Sequence, residues 1–203
     1  MKTKIYLLFL INGFVSLSCI LALFSSGEPV LDWEELFPNN IEYPMAWSKS
    51  EINESCISAP LGSGCDNYVN KHVKYYFGNP VKVQATIDIK FYETGIDATN
   101  DYKDIHDFAF IKFSDSTYTD CFHPEGIIFQ SKFSDQYDYG CKQNIRNVSD
   151  FRCTFVSQYN QFIVDFSLWA DGEFDYQLLL ALMNAIDDKM ALYKDAPPVP
   201  QGN

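Results

Sequence analysis

Histidine is scarce in this chain: His72, His106 and His123 are the only three, and each sits in a different stretch. No C-x-x-C or H-x-x-x-H spacing occurs, so nothing local supplies the four close ligands of a structural zinc site, and neither a metal nor a cofactor is expected. Glycine loops that cradle phosphate, the G-x-S-x-G nucleophile turn and EF-hand loops are missing too. Basic residues are few, 15 against 27 acids, for a net charge of −12. Such a surface repels phosphates and anionic headgroups, which excludes nucleic acid as a partner and leaves contact with a membrane to the N-terminal segment alone. The acids are scattered rather than gathered in a tail, as suits a solvated surface.

Hydrophobic residues make up 47% of the 203 positions and aromatics 16%, enough for one well-buried domain. No fixed-period repeat interrupts the chain. The expected organisation is a targeting or anchoring segment over 1–27, an aromatic-rich irregular lead-in over 28–60, a globular domain over 61–194 and a flexible tail over 195–203.

The first segment opens with Lys2 and Lys4, then runs apolar from Ile5 to Phe24, and small residues follow. That is an export pattern. Its 20 residues exceed an ordinary signal core and match a bilayer span, so cleavage after Gly27 and retention as an anchor both stay open. "SLSC" resembles a degraded lipobox and makes Cys19 a lipidation candidate. In each case the domain faces the outside, secreted or tethered.

An exported location permits disulfides. Beyond the leader lie Cys56, Cys65, Cys121, Cys141 and Cys153, an odd number, so at least one thiol is left over. Cys56 and Cys65 flank a Pro/Gly/Ser loop and form the natural first pair. Cys153 alternates with Phe151 and Phe155, as a small buried hydrophobe in a strand does, and is expected free. Cys121 and Cys141 then pair; Cys141 with Cys153 is the alternative.

Periodicity carries the fold class. Val81, Val83, Ala85, Ile87, Ile89 and Phe91 alternate with polar residues in a long strand with one wet face. "HVKYYF" before it reads as a hairpin partner. Ala98, Tyr102, Ile105 and Ala109 share a helical face, with Asp97, Asp101 and Asp104 towards its start. "GIIFQSKF" reads as a short strand after a Pro124-Glu125-Gly126 turn. "FRCTFVSQ" and "QFIVDFSLW" read as two strands turning at Asn160. Phe174, Leu178, Ala181, Leu182, Ala185 and Met190 stripe a final helix. The expected class is α+β, an antiparallel sheet of about five strands with two amphipathic helices packed on one face. The lead-in aromatics, from Trp33 to Trp47, are expected to pack across it.

"TDCFHPEG", residues 119–126, sets Cys121 two positions from His123. Residues so spaced in a turn rarely face one another, so a disulfide and a turn are expected in place of a nucleophile and its base. Asn53 and Asn147 head N-x-S sequons, glycosylation candidates in a eukaryotic host. With no catalytic signature, the expected function is a non-enzymatic, extracytoplasmic binding or sensor-type domain for an unknown protein or small-molecule ligand. The alternatives are an exported hydrolase built from scattered acids and histidines, and a structural subunit of an envelope complex docking through 31–47.

Overall fold

The computed structural model describes residues 33–54, 68–78, 80–112, 117–172 and 174–195. Helix α1 (Trp33–Leu36) is followed by β1 (Trp47–Lys49), β2 (Asn53–Glu54), β3 (Tyr68–Phe77) and β4 (Val83–Tyr92). Next come α2 (Gly95–His106), a π-helical continuation (Asp107–Lys112), β5 (Gln136–Gln143), β6 (Asp150–Tyr159), β7 (Phe162–Asp171) and α3 (Tyr176–Tyr193). All seven strands form one antiparallel sheet, in the order β1-β3-β4-β7-β6-β5 with β2 also on β3.

The long alternating strand is β4, and it begins at Val83 because Val81 lies in the turn and is exposed. Its hairpin partner is β3, in register from Tyr68 opposite Tyr92 to Phe77 opposite Val83. Asn160 takes φ 53° between β6 and β7, the left-handed conformation that asparagine tolerates best after glycine. The count of about five strands was low. The lead-in supplies β1 and β2, and β5 was not foreseen because Tyr137, Tyr139 and Gly140 disguise its alternation.

"GIIFQSKF" is not a strand. Ile127 and Phe129 are buried and Ile128 is exposed, so the chain is extended, but it joins no ladder. The carbonyls of Ile127 and Phe129 accept instead from the hydroxyls of Tyr139 (3.0 Å) and Tyr137 (3.4 Å). Extended chain reads identically in the sequence whether its partners are backbone or side chain.

The two long helices lie on opposite faces, contrary to the expectation of one. Helix α3 covers the face bearing Phe155, Tyr159 and Phe166. Its Asp187 accepts from Tyr159 (3.0 Å), while Phe174 and Tyr176 at its start meet Phe151. Asp175 caps it, accepting from the Gln177 N–H at 2.9 Å. Helix α2 covers one end of the other face, where Val156, Ile163 and Tyr92 break the polar alternation and give Ala98 and Tyr102 an apolar seat. Thr94 caps it through the Asp97 N–H (3.1 Å). Gln158, nearly fully buried, ties it down by donating to Thr99 Oγ1 (2.9 Å) and to the Gly95 carbonyl (3.3 Å).

The lead-in packs on the domain. Leu36, Phe37 and Ile41 are core residues, Trp47 lies 6.0 Å from the ring of Tyr75, and Tyr75 donates to the Pro38 carbonyl (2.9 Å).

Candidate ligand-binding site

Helix α2 and its π-helical continuation cover only part of their face. Beyond them, over β4, β7, β6 and β5, lies a cavity of about 460 Å³. The strand register places its floor: Thr86 opposite Ser167, Gln84 opposite Trp169, Arg152 opposite Trp169, and Lys142 opposite Arg152. All of these project to the α2 side, since they alternate with the core residues Ala85, Leu168 and Cys153. Phe108 and Phe110 of the π-helical segment form the overhang. Wide turns of this kind recur at functional sites because they push side chains out of helical register.

Trp169 stands 43% exposed on this face and Phe108 60% exposed. The indole of Trp169 is held, donating its N–H to Asp150 at 3.0 Å. Asp150 also accepts from Tyr118 (2.7 Å) and Asn144 (3.0 Å). Burial would raise the Asp150 carboxyl, but these hydrogen bonds and nearby Arg152 outweigh it and hold the group below its ordinary value. The Arg152 guanidinium lies 4.7 Å over the ring of Tyr118, and Lys142 donates to the Ala109 carbonyl at 3.2 Å.

At the opposite end of the cavity, Asp165 faces Asp88 directly across β7 and β4. Burial, then the facing charge of Asp88, push the Asp165 carboxyl up to about 6, with Lys90 pulling the other way. Burial also raises Asp88, against the charges of His72 and Lys90. Two carboxylates confined to one sheet face resist ionising together.

Cys121 does not pair with Cys141. The disulfide joins Cys141 to Cys153, which sit directly opposite on adjacent strands with Cα atoms 4.0 Å apart and point to the α3 face. Cys121 lies on the other side of the sheet: its Sγ occupies the space over Gly140, where a Cβ would stand 2.4 Å from it. A bridge between Phe122 and Cys141 sets this geometry, since the residue before Phe122 must point away from the Cys141 side chain. Cys153 is therefore bonded, and Cys121 is the free cysteine among the described residues. Burial pushes its thiol up; Lys142 opposes and Asp138 adds to the rise, which is the reverse of an activated nucleophile. Cys19, Cys56 and Cys65 lie outside the described residues.

His123 and His106, which lie in different stretches of the chain, come together in the structure. Both reach Asp138 of β5, His106 Nε2 at 3.0 Å and His123 Nε2 at 3.4 Å. One carboxylate thus pins both the end of α2, from which the π-helical overhang continues, and the 118–126 segment, which brings Cys121 to the cavity. Among the described residues, no three His, Cys, Asp or Glu side chains converge as metal ligands. Asn147 is exposed in a loop, and Asn53 is exposed in the short strand β2, where a loop was expected.

Sequence reasoning passed over Trp169, Arg152, Lys142, Phe108 and Asp165. A signal was present in β7: with Phe162, Val164, Phe166 and Leu168 on the core face, Trp169 had to stand on the wet one.

No family model matches the chain, and no curated protein matches it. Among solved structures, it is similar to the crystal structure of the extracellular domain of PknH from Mycobacterium tuberculosis, with a TM-score of 0.51 and 12% identity. The likeness covers 79% of this chain and 92% of that one, and at such identity it is one of fold.

Proposed function

We propose that this chain is an extracytoplasmic, non-enzymatic binding domain of sensor type, exposed outside the membrane by its N-terminal segment, and that its ligand enters the cavity beneath the π-helical segment. The cavity is the observation that carries the reading: its floor is rigid sheet, and its aromatic wall, Trp169, is oriented by a hydrogen bond rather than left loose. The export pattern over Ile5–Phe24, the Cys141–Cys153 disulfide and the fold shared with an extracellular domain support the location.

A hydrolytic reading draws on the Asp88–Asp165 pair and the two histidines on Asp138. The raised Cys121 thiol and the binding of both histidines to a single carboxylate favour the binding role. Screening the full chain against ester, peptide and glycoside substrates separates the two readings. Absence of turnover is expected; turnover lost in Asp165→Asn or His123→Ala would overturn the non-enzymatic reading. Location is tested by adding a membrane-impermeant protease to intact producing cells, where digestion of the domain is expected and protection would overturn it.

A further inference from the structure

Resting on the cavity reading above, we infer that the ligand is an uncharged saccharide, with one sugar ring lying on the face of Trp169 and its hydroxyls meeting the polar floor beside it. The strand register orders that floor in rungs. On the first, Gln84 of β4 stands directly opposite Trp169 of β7. On the next, Ser167 is flanked by Thr86 of β4 and Thr154 of β6. Asp165 holds the third. All of these residues line the cavity. Side chains so paired stand about 5 Å apart across the strands, and the rungs follow one another at about 7 Å along β7.

Trp169 is exposed and its N–H is committed to Asp150, so what it offers a ligand is ring face. The negative face of an aromatic ring attracts C–H groups and gains by burying apolar area. A pyranose has such a C–H face, with hydroxyls around its rim. The hydroxyls of Thr86, Ser167 and Thr154 and the amide of Gln84 each donate and accept, as sugar hydroxyls do. Among the described residues, no hydrogen bond ties one of those three hydroxyls to another. An apolar body laid over the row would take it from water and leave it unpartnered. An inorganic ion would leave the indole bare.

The charges around the cavity are engaged within the protein. Arg152 lies beside the ionised Asp150 and over the ring of Tyr118. Lys142 donates to the Ala109 carbonyl and makes a further contact. Lys90 lies near both Asp165 and Asp88. Recognition is therefore left to the ring face and the uncharged floor. Asp165 adds an acceptor that suits a hydroxyl and repels an anion.

The test uses the full chain with maltose, cellobiose, lactose and N,N′-diacetylchitobiose as uncharged sugars. Glucuronate and glucosamine are the charged comparators, adenosine and N-phenyl-1-naphthylamine the ones that are not sugars. Affinity is read by titration calorimetry. Occupancy is read by the rate of iodoacetamide labelling at Cys121, which lines the same cavity, followed by peptide mass spectrometry. At least one uncharged sugar should bind and slow the labelling, and the comparators should do neither. Ser167→Ala and Thr86→Val should each weaken that sugar about fivefold, as loss of one neutral hydrogen bond does, and Trp169→Ala should weaken it further. Should Trp169→Ala fail to fold, the two hydroxyl variants carry the test. Tighter binding of glucuronate or glucosamine would overturn the uncharged ligand. Protection of Cys121 by adenosine or the naphthylamine, and by no sugar, would remove the saccharide and leave the cavity as a binding site. If nothing in the set slows labelling, the cavity reading falls as well. A sugar that binds without slowing it, and equally well in all the variants, sits elsewhere and overturns both.

Discussion

Replacing Asp165 with asparagine should stabilise this protein at neutral pH and do nothing in acid. The carboxyl sits between β4 and β6 with Asp88 directly opposite, and its titration is moved from 3.8 to about 6, by burial first and by Asp88 second. Between those two values the folded protein keeps a proton that the unfolded chain has released. Unfolding free energy therefore falls as pH rises through that window, at about 1.4 kcal/mol per unit. Across the whole window the penalty is about 3 kcal/mol, absent below pH 3.8 and complete above pH 6. Asp165→Asn removes the charge and keeps the shape. In urea melts at pH 7.5 the variant should gain up to about 3 kcal/mol, a midpoint increase on the order of 1–2 M at the slopes usual for a domain of this size. At pH 4 the two proteins should melt together. A destabilised variant at pH 7.5, or a gain that does not vary between pH 4 and 7.5, would refute the placement of a strained carboxylate in this cavity. A stability cost kept on a sheet floor is the usual trade where a site needs a particular charge.

Three further outcomes follow from the same geometry. Non-reducing peptide mapping should recover Cys141 linked to Cys153, and Cys141→Ala/Cys153→Ala should lose about 3 kcal/mol by the loop-entropy estimate for a 12-residue separation; a Cys121–Cys141 peptide would reverse the assignment of sheet faces. Gly140→Ala should destabilise by about 1–3 kcal/mol because its Cβ overlaps the Cys121 sulfur, and adding Cys121→Ala should recover most of that loss in a double-mutant cycle. Asp187→Ala should cost about 2–5 kcal/mol in chemical denaturation, since this buried carboxylate accepts from Ser131 (2.5 Å), the Lys132 N–H (3.0 Å) and Tyr159 (3.0 Å); a loss under 1 kcal/mol would mean that the three donors find other partners.

The elements with strong local patterns were legible. Strand β4 and its hairpin with β3, the β6–β7 turn at Asn160 and the final helix all follow from side-chain period and turn chemistry. The final helix nonetheless buries Leu179, Met183 and Ile186, which the expected stripe omitted, and it buries Asp187 too. A helix wedged between a sheet and the 127–134 segment is covered over a wider arc than one packed on the sheet alone, and no single-face stripe describes it. The cavity was barely legible. Its members come from four strands, the π-helical segment and the 118–126 segment, so far apart in the chain that no short window of sequence holds Phe108, Cys121, Lys142, Arg152 and Trp169 together.

What the sequence determined by itself is therefore local and compositional: an export pattern, an acidic composition, strands with one wet face, an odd number of cysteines beyond the N-terminal segment and no catalytic motif. Tertiary structure alone decided which of the described cysteines stays free, on which faces the helices lie, and that His106 and His123 share Asp138. The physical reason is register. Side chains alternate faces along each strand, but which residue of one strand meets which of the next is set by long-range pairing. Placing Phe122 against Cys141 sends Cys121 to the far side of the sheet, away from the partner that chain order alone suggested.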